Sequence, residues 1–242
     1  MVMDINQQLL KIQKEWLAIC GADDLAKKHP ISRPFSFSVT DQFLSSDRKV
    51  MFIGQEAKDF GMFSDNWPIE NIQLFNKNYV ETQLGYRPHD DWIKYNGSPF
   101  WNLFRSFQQY GSEPVWNNVD KFHRVVDKKT ECLTLELERI FSAPYGEENK
   151  SLLMREIEIT KPSAVIFLTG PHYYETMALS FGVDCNELLI HKPRKNSPCS
   201  DVSDVIKLGM PVLWSYHPAY LSRIKSMDTV YEMYRRVMQD WI

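Results

Sequence analysis

Four short apolar runs, each cut off by turn-forming or polar residues, constrain the fold of this 242-residue chain more than any other feature. They are Val50-Met51-Phe52-Ile53, closed by Gly54, and Val115-Trp116 after Pro114, ending at Asn117-Asn118. The third is Ala164-Val165-Ile166-Phe167-Leu168, opened by Lys161-Pro162 and stopped by Gly170-Pro171. The fourth is Val212-Leu213-Trp214-Ser215-Tyr216, opened by Pro211 and stopped by His217-Pro218. Short runs without polar alternation fit strands buried on both faces of a parallel sheet. Helical spacing of apolar residues predicts helices over 99–110, 133–141, 152–159, 173–181 and 229–241. Ile5, Leu9, Leu10, Ile12, Trp16 and Leu17 predict an opening helix over 4–20. Strands alternating with helices imply right-handed βαβ units. The expected fold is therefore a three-layer α/β/α domain, 1–242, around a central four-stranded parallel sheet. Residues 62–97, polar and aromatic without a strong period, read as a partly helical insertion over the sheet edge.

A net charge of −3 argues against a uniformly basic nucleic-acid binder, but charge distribution matters more than the total. Basic residues gather in three places: Lys121, His123, Arg124, Lys128 and Lys129; His191, Lys192, Arg194 and Lys195; and Arg223 with Lys225. Cys20, Cys132, Cys185 and Cys199 are scattered with no C-x-x-C pair, which argues against a zinc knuckle or a thiol redox motif. No cofactor and no metal are expected. No basic leader precedes an apolar segment, and no run approaches the ~20 apolar residues of a membrane span. The expectation is a cytoplasmic monomer with no membrane partner.

Each predicted strand ends in residues suited to chemistry: Gly54-Gln55-Glu56, Asn117-Asn118, Thr169-Gly170-Pro171 and His217-Pro218. Open α/β sheets bind ligands in the crevice beyond the carboxyl ends of their strands. A carboxylate, a carboxamide and an imidazole are thus predicted to converge on one pocket.

The ordered set resembles the uracil-DNA glycosylase superfamily. Gly54-Gln55-Glu56 is similar to the Gly-Gln-acidic start of the first motif in the main uracil-DNA glycosylases, and Phe60-Gly61-Met62 is like the single-strand-selective branch. Asn118-Val119-Asp120-Lys121 resembles the strand-end Asn that precedes a Lys in several branches. Leu168-Thr169-Gly170 sits where the family has a Gly after its third strand. The segment from Tyr216-His217-Pro218 through Ala219-Tyr220-Leu221 to Ser222-Arg223 is similar to the His-Pro-Ser motif. The match in order and spacing covers residues 48–225.

The resemblance implies excision of uracil or a related damaged base from single- or double-stranded DNA, with the nucleotide taken out of its stack. Bond cleavage puts positive charge on the sugar, which a carboxylate stabilises while orienting water. By alignment the carboxylate is Glu56, with Asp59 as substitute. Asn118 would read the base edge. His217, with the Gln55 backbone beside it, would hold the oxyanion forming on the base. Phe100, Tyr95 or Trp101 would stack on the base, and Tyr220 and Leu221 would wedge into the space it leaves. Lys121, Arg124 and Arg223 would hold phosphates.

The pattern also departs from the family. Ala57-Lys58 follows the acidic residue where the family has Pro-Tyr or Pro-Gly, Glu56 stands in an Asp position, and Ala219 replaces the Ser of His-Pro-Ser. The iron–sulfur cysteines of some branches have no counterpart. Those changes open a second reading, the same fold binding nucleic acid or a nucleotide without catalysis. An unrelated hydrolase or nucleotide-binding enzyme is disfavoured by the absence of G-x-G-x-x-G, G-x-x-x-x-G-K-[ST], G-x-S-x-G and H-E-x-x-H.

Overall fold

The computed structural model describes residues 4–56, 62–63, 67–127 and 129–240. Helices α1 (Ile5–Ile19), α2 (Ala22–Lys28) and α3 (Asp41–Ser45) precede the first strand, β1 (Lys49–Glu56). Two helices, α4 (Ile69–Gln83) and α5 (Pro99–Gln109), separate it from β2 (Glu113–Asp120). A small hairpin of β3 (Arg124–Val126) and β4 (Lys129–Glu131) follows, then α6 (Leu135–Ser142) and α7 (Leu152–Thr160). After β5 (Ala164–Phe167) come α8 (Tyr174–Phe181), α9 (Cys185–Ile190) and the short strand β6 (Cys199–Asp201). The chain closes with β7 (Val212–Ser215), α10 (Pro218–Arg223) and α11 (Asp228–Asp240).

The protein is an α/β structure whose central sheet has the order β2-β1-β5-β7-β6. The four strands read from the sequence are the parallel ones, in register Val50↔Ala164, Gly54↔Asn118 and Ile166↔Leu213. The sheet has five strands, however, not four. β6 pairs antiparallel with β7 through Cys199↔Ser215 and Asp201↔Leu213, and its Cys-Ser-Asp sequence carries no strand pattern. An antiparallel edge on an otherwise parallel sheet is a common arrangement.

Alternation along the strands builds the core on both faces. Met51, Ile53, Val165, Phe167 and Trp214 pack one way, against Leu9 and Trp16 of α1, Ile157 of α7 and Met177 of α8. Val50, Phe52, Ile166 and Leu213 pack the other way, against Phe104 and Phe107 of α5 and Val230, Tyr234 and Val237 of α11. Phe52 meets Phe104 and Phe107 with ring centroids 4.5 and 4.8 Å apart, within the range of favourable aromatic pairs. The 62–97 segment supplies α4, which buries Ile72 and Val80 and the amides of Gln73 and Asn76. Those amides donate to the carbonyls of Phe37 and Ser36, tying the helix to the extended chain before β1. Among the described residues no helix is long and apolar enough to cross a membrane.

One polar network lies inside the first core. The Lys121 ammonium sits 2.7 Å from Glu156 Oε2, with both side chains buried, and it also bonds to Asn117 Oδ1. Asn117 Nδ2 donates to the same Glu156 oxygen at 2.9 Å, and Gln13 Nε2 reaches Glu156 Oε1 at 3.0 Å. Ser36 Oγ donates to Gln13 Oε1 at 2.6 Å. Burial pushes the Lys121 pKa down, and the Glu156 charge opposes that shift. Lys121, expected at the surface as a phosphate cation, is therefore a core residue whose charge is already matched. Removing one partner of such a pair strands the other. Glu156→Ala is expected to cost about 3–5 kcal/mol in urea unfolding, while Lys121→Met with Glu156→Leu recovers only part of that loss, because the Asn117 and Gln13 amides still lose their partner.

Candidate functional site

β1 and β2 run in register to their last residues, so Gly54 faces Asn118 and Glu56 faces Asp120. Trp116, Asn118 and Asp120 project to the opposite face of β2 from Asn117, by the two-residue period of a strand. The indole Nε1 of Trp116 donates to Asn118 Oδ1 at 2.9 Å. An indole N–H can only donate, so this bond fixes which end of the carboxamide is oxygen. The oxygen also lies against Gly54: a Cβ on that glycine would meet it at 2.6 Å. Covered on both sides, Oδ1 is spoken for. Asn118 Nδ2 is a buried donor with no partner among the described residues, and Asn118 is 1% exposed. A ligand reaches that donor only by moving what covers it.

Phe100, at the start of α5, links this end of β2 to the end of β7. Its ring edge is 3.6 Å from where a Gly54 Cβ would be, and its face lies nearly parallel to the His217 imidazole, 17° between planes and 5.8 Å between centroids. His217 caps α10: its Nδ1 accepts the Ala219 N–H at 3.2 Å, and Pro218 fills the first helical position, where no N–H is needed. An accepting Nδ1 places the imidazole proton on Nε2, making that nitrogen a donor.

Glu56, half-buried, accepts a hydrogen bond from the Tyr173 hydroxyl through Oε2. Burial, reinforced by the Glu56 charge, pushes the Tyr173 phenol far above its ordinary pKa, so it stays a donor. Gln55 Nε2 donates to the Thr169 carbonyl at 2.8 Å, bracing β1 against the end of β5. Asp120 is the anomaly. It is 2% exposed, and neither carboxylate oxygen has a partner among the described residues. Burial, then the charges of Glu138 and Glu56, raise its pKa well above the usual carboxylate range against the opposing pull of Lys121. Asp120 is thus a buried carboxyl facing Glu56 whose charged form is disfavoured.

The structure thus brings Glu56, Gln55, Asn118, Phe100 and His217 to one edge of the sheet. Asp59 lies outside the described residues, as do Lys58, Phe60, Gly61 and Lys128. Other expected residues are placed differently. Leu221 is fully buried in the second core and has no path to a wedge position. Trp101 is 3% exposed among Tyr79, Phe104 and Trp116, while Tyr95 stands outward under the Arg105 guanidinium, 4.4 Å from its centroid. Arg124 sits in β3, 3.6 Å from Glu131. Tyr220 and Arg223 remain accessible on α10. Sequence reasoning missed Trp116, Asp120 and Tyr173. The first two were readable once β2 was extended by two-residue alternation; Tyr173 stands in the loop after the third apolar run.

Among the described residues, no group of three or more His, Cys, Asp or Glu is arranged to hold a metal ion. No protein-family model matches the chain, and no curated protein sequence matches it.

Asp120 makes a testable contribution to stability. A carboxyl with a raised folded-state pKa favours folding fully below its unfolded value, near 3.8, and loses that contribution as pH rises towards the folded value. Asp120→Asn, neutral throughout, is therefore expected to unfold at a higher temperature than wild type at neutral pH, with the gap closing as pH falls towards 4. A pH-independent difference in melting temperature would contradict a raised Asp120 pKa.

Proposed function

We propose that the protein is a DNA N-glycosylase of the uracil-DNA glycosylase type, hydrolysing the bond between deoxyribose and an oxo-bearing base such as uracil. The observation carrying this reading is the Asn118 carboxamide, oriented by Trp116 and presenting an unpartnered buried N–H donor. A fixed donor pairs with a carbonyl on a base edge and meets an exocyclic amino group unfavourably, because two donors then face each other. The order β2-β1-β5-β7 of the four parallel strands, with candidate residues at their carboxyl ends, also supports it.

The chemistry follows from the placement. The C1′–N bond breaks with its electron pair passing to the base, leaving positive charge on the sugar. Glu56, steadied by Tyr173, stabilises that charge and accepts a proton from the water whose oxygen bonds to C1′. The Nε2–H of His217 stabilises the oxyanion developing on the base, which leaves as the neutral base once it takes up a proton. Phe100 offers an aromatic face beside the base.

The test is base release from labelled oligonucleotides carrying uracil, hypoxanthine, xanthine or mismatched thymine, at low salt. Glu56→Gln and His217→Ala are each expected to slow release by about 100-fold or more, with folding intact by circular dichroism. Asn118→Asp turns the reading donor into an acceptor and is expected to shift preference from uracil towards cytosine. No release from any substrate by folded wild-type protein would refute the glycosylase reading and favour a non-catalytic nucleotide or nucleic-acid binder.

A further inference from the structure

β6 runs antiparallel to β7, so its first residue, Cys199, lies at the same sheet edge as Ser215 and the candidate site. The turn entering it is tight. Arg194 N–H donates to the Ser197 carbonyl and Ser197 N–H to the Arg194 carbonyl, both at 2.9 Å. The turn is also anchored: the Pro198 carbonyl accepts from Ser215 Oγ at 3.0 Å and from Tyr216 N–H at 3.2 Å. Arg194 and Lys195 stand exposed on it and Lys192 just before it, and none has an ion-pair partner among the described residues. Three unmatched cations are thus held on a fixed backbone in a chain whose net charge is −3.

Beside this turn lies an aromatic step. Tyr216 and Tyr220 stack with centroids 4.3 Å apart and 30° between planes, both half-exposed. The Arg223 guanidinium continues the stack, 5.7 Å from the Tyr220 centroid. Leu221, the apolar neighbour that could enter a base step of a duplex, is fully buried beneath.

We propose that Tyr216, Tyr220 and Arg223, with the cationic segment carrying Lys192, Arg194 and Lys195, form a docking surface for single-stranded DNA flanking the candidate site. Aromatic faces bind unstacked bases, which a duplex keeps stacked inside, and cations along the rim track the phosphates. A step of stacked rings beside exposed cations suits a flexible strand laid across it, whereas an inserted wedge suits a duplex. The choice of DNA as the polymer rests on the glycosylase reading; the preference for a single strand rests on this surface.

The experiment is fluorescence anisotropy of wild-type protein with labelled oligothymidylate, and with the same strand paired to oligoadenylate, across a salt series. Neither contains a base to be excised, so binding is read independently of catalysis. The single strand is expected to bind at least tenfold more tightly. Tyr220→Ala is expected to weaken it by about tenfold, the loss of roughly one stacked base, with Tyr220→Phe close to wild type. Arg194→Ala combined with Lys195→Ala is expected to reduce the slope of log affinity against log salt by about 1.4, two single-strand phosphate contacts. Equal affinity for strand and duplex overturns the proposal, as does unchanged affinity in both the Tyr220→Ala and the double variant. Binding as expected without base release from uracil substrates would overturn the catalytic reading alone.

Discussion

The arrangement of the site depends on the buried pairing of Lys121 with Glu156 just beyond the end of β2. A strand that ends in polar residues has no hydrophobic reason to stay in register to its tip. Here the tip is fastened from behind: Asn117 and Lys121 share Glu156, and Gln13 brings α1 to the same carboxylate. Once Asn117 is committed to that side, the two-residue period turns Asn118 and its face towards Gly54 and Phe100. Gly54 has to be glycine for the same reason, since a methyl group there would collide with the carboxamide oxygen. Fixing registry is the best-attested role of such buried polar groups.

The parallel part of the fold was legible because its strands are buried on both faces, and continuous apolar runs survive without knowledge of tertiary contacts. β6 was not, because an edge strand of Cys-Ser-Asp is held by backbone pairing to β7 and buries little. β2 was seen as two residues and is eight long; the polar half past Trp116 is held in the sheet by β1 and by the network, neither of which is local in sequence. Lys121 misled for a related reason. A lysine beside other cations reads as a solvated surface unless its counter-ion is known, and that counter-ion is Glu156, across the core in α7. The candidate site was legible as to its strand-end residues and obscure as to their supports, since Trp116 and Tyr173 act by orienting a neighbour.

Polar groups on the two sides of the β2 tip are treated differently. Behind β2, the Glu156 network leaves its donors and acceptors paired. In front, Asn118 Nδ2 and both Asp120 oxygens are buried without partners among the described residues. Each such group typically costs about 1–3 kcal/mol when left unmade. Buried unpaired groups also occur elsewhere, at Ser38, Asn76 and Glu113, but the tip of β2 carries three such atoms within three residues.

The geometry of α10 then decides what kind of surface surrounds that end. His217 spends Nδ1 on the Ala219 N–H to start the helix, and the helix turns Leu221 inward to seal α5 and α11. With that leucine committed to the core, the large accessible side chains of the segment are Tyr216, Tyr220 and Arg223. A helix of six residues cannot present both an apolar wedge and its own core anchor from one leucine. Sealing the core therefore takes precedence, and the side chains left beside the site are flat, polar-tipped and positively edged, suited to stacking more than to insertion.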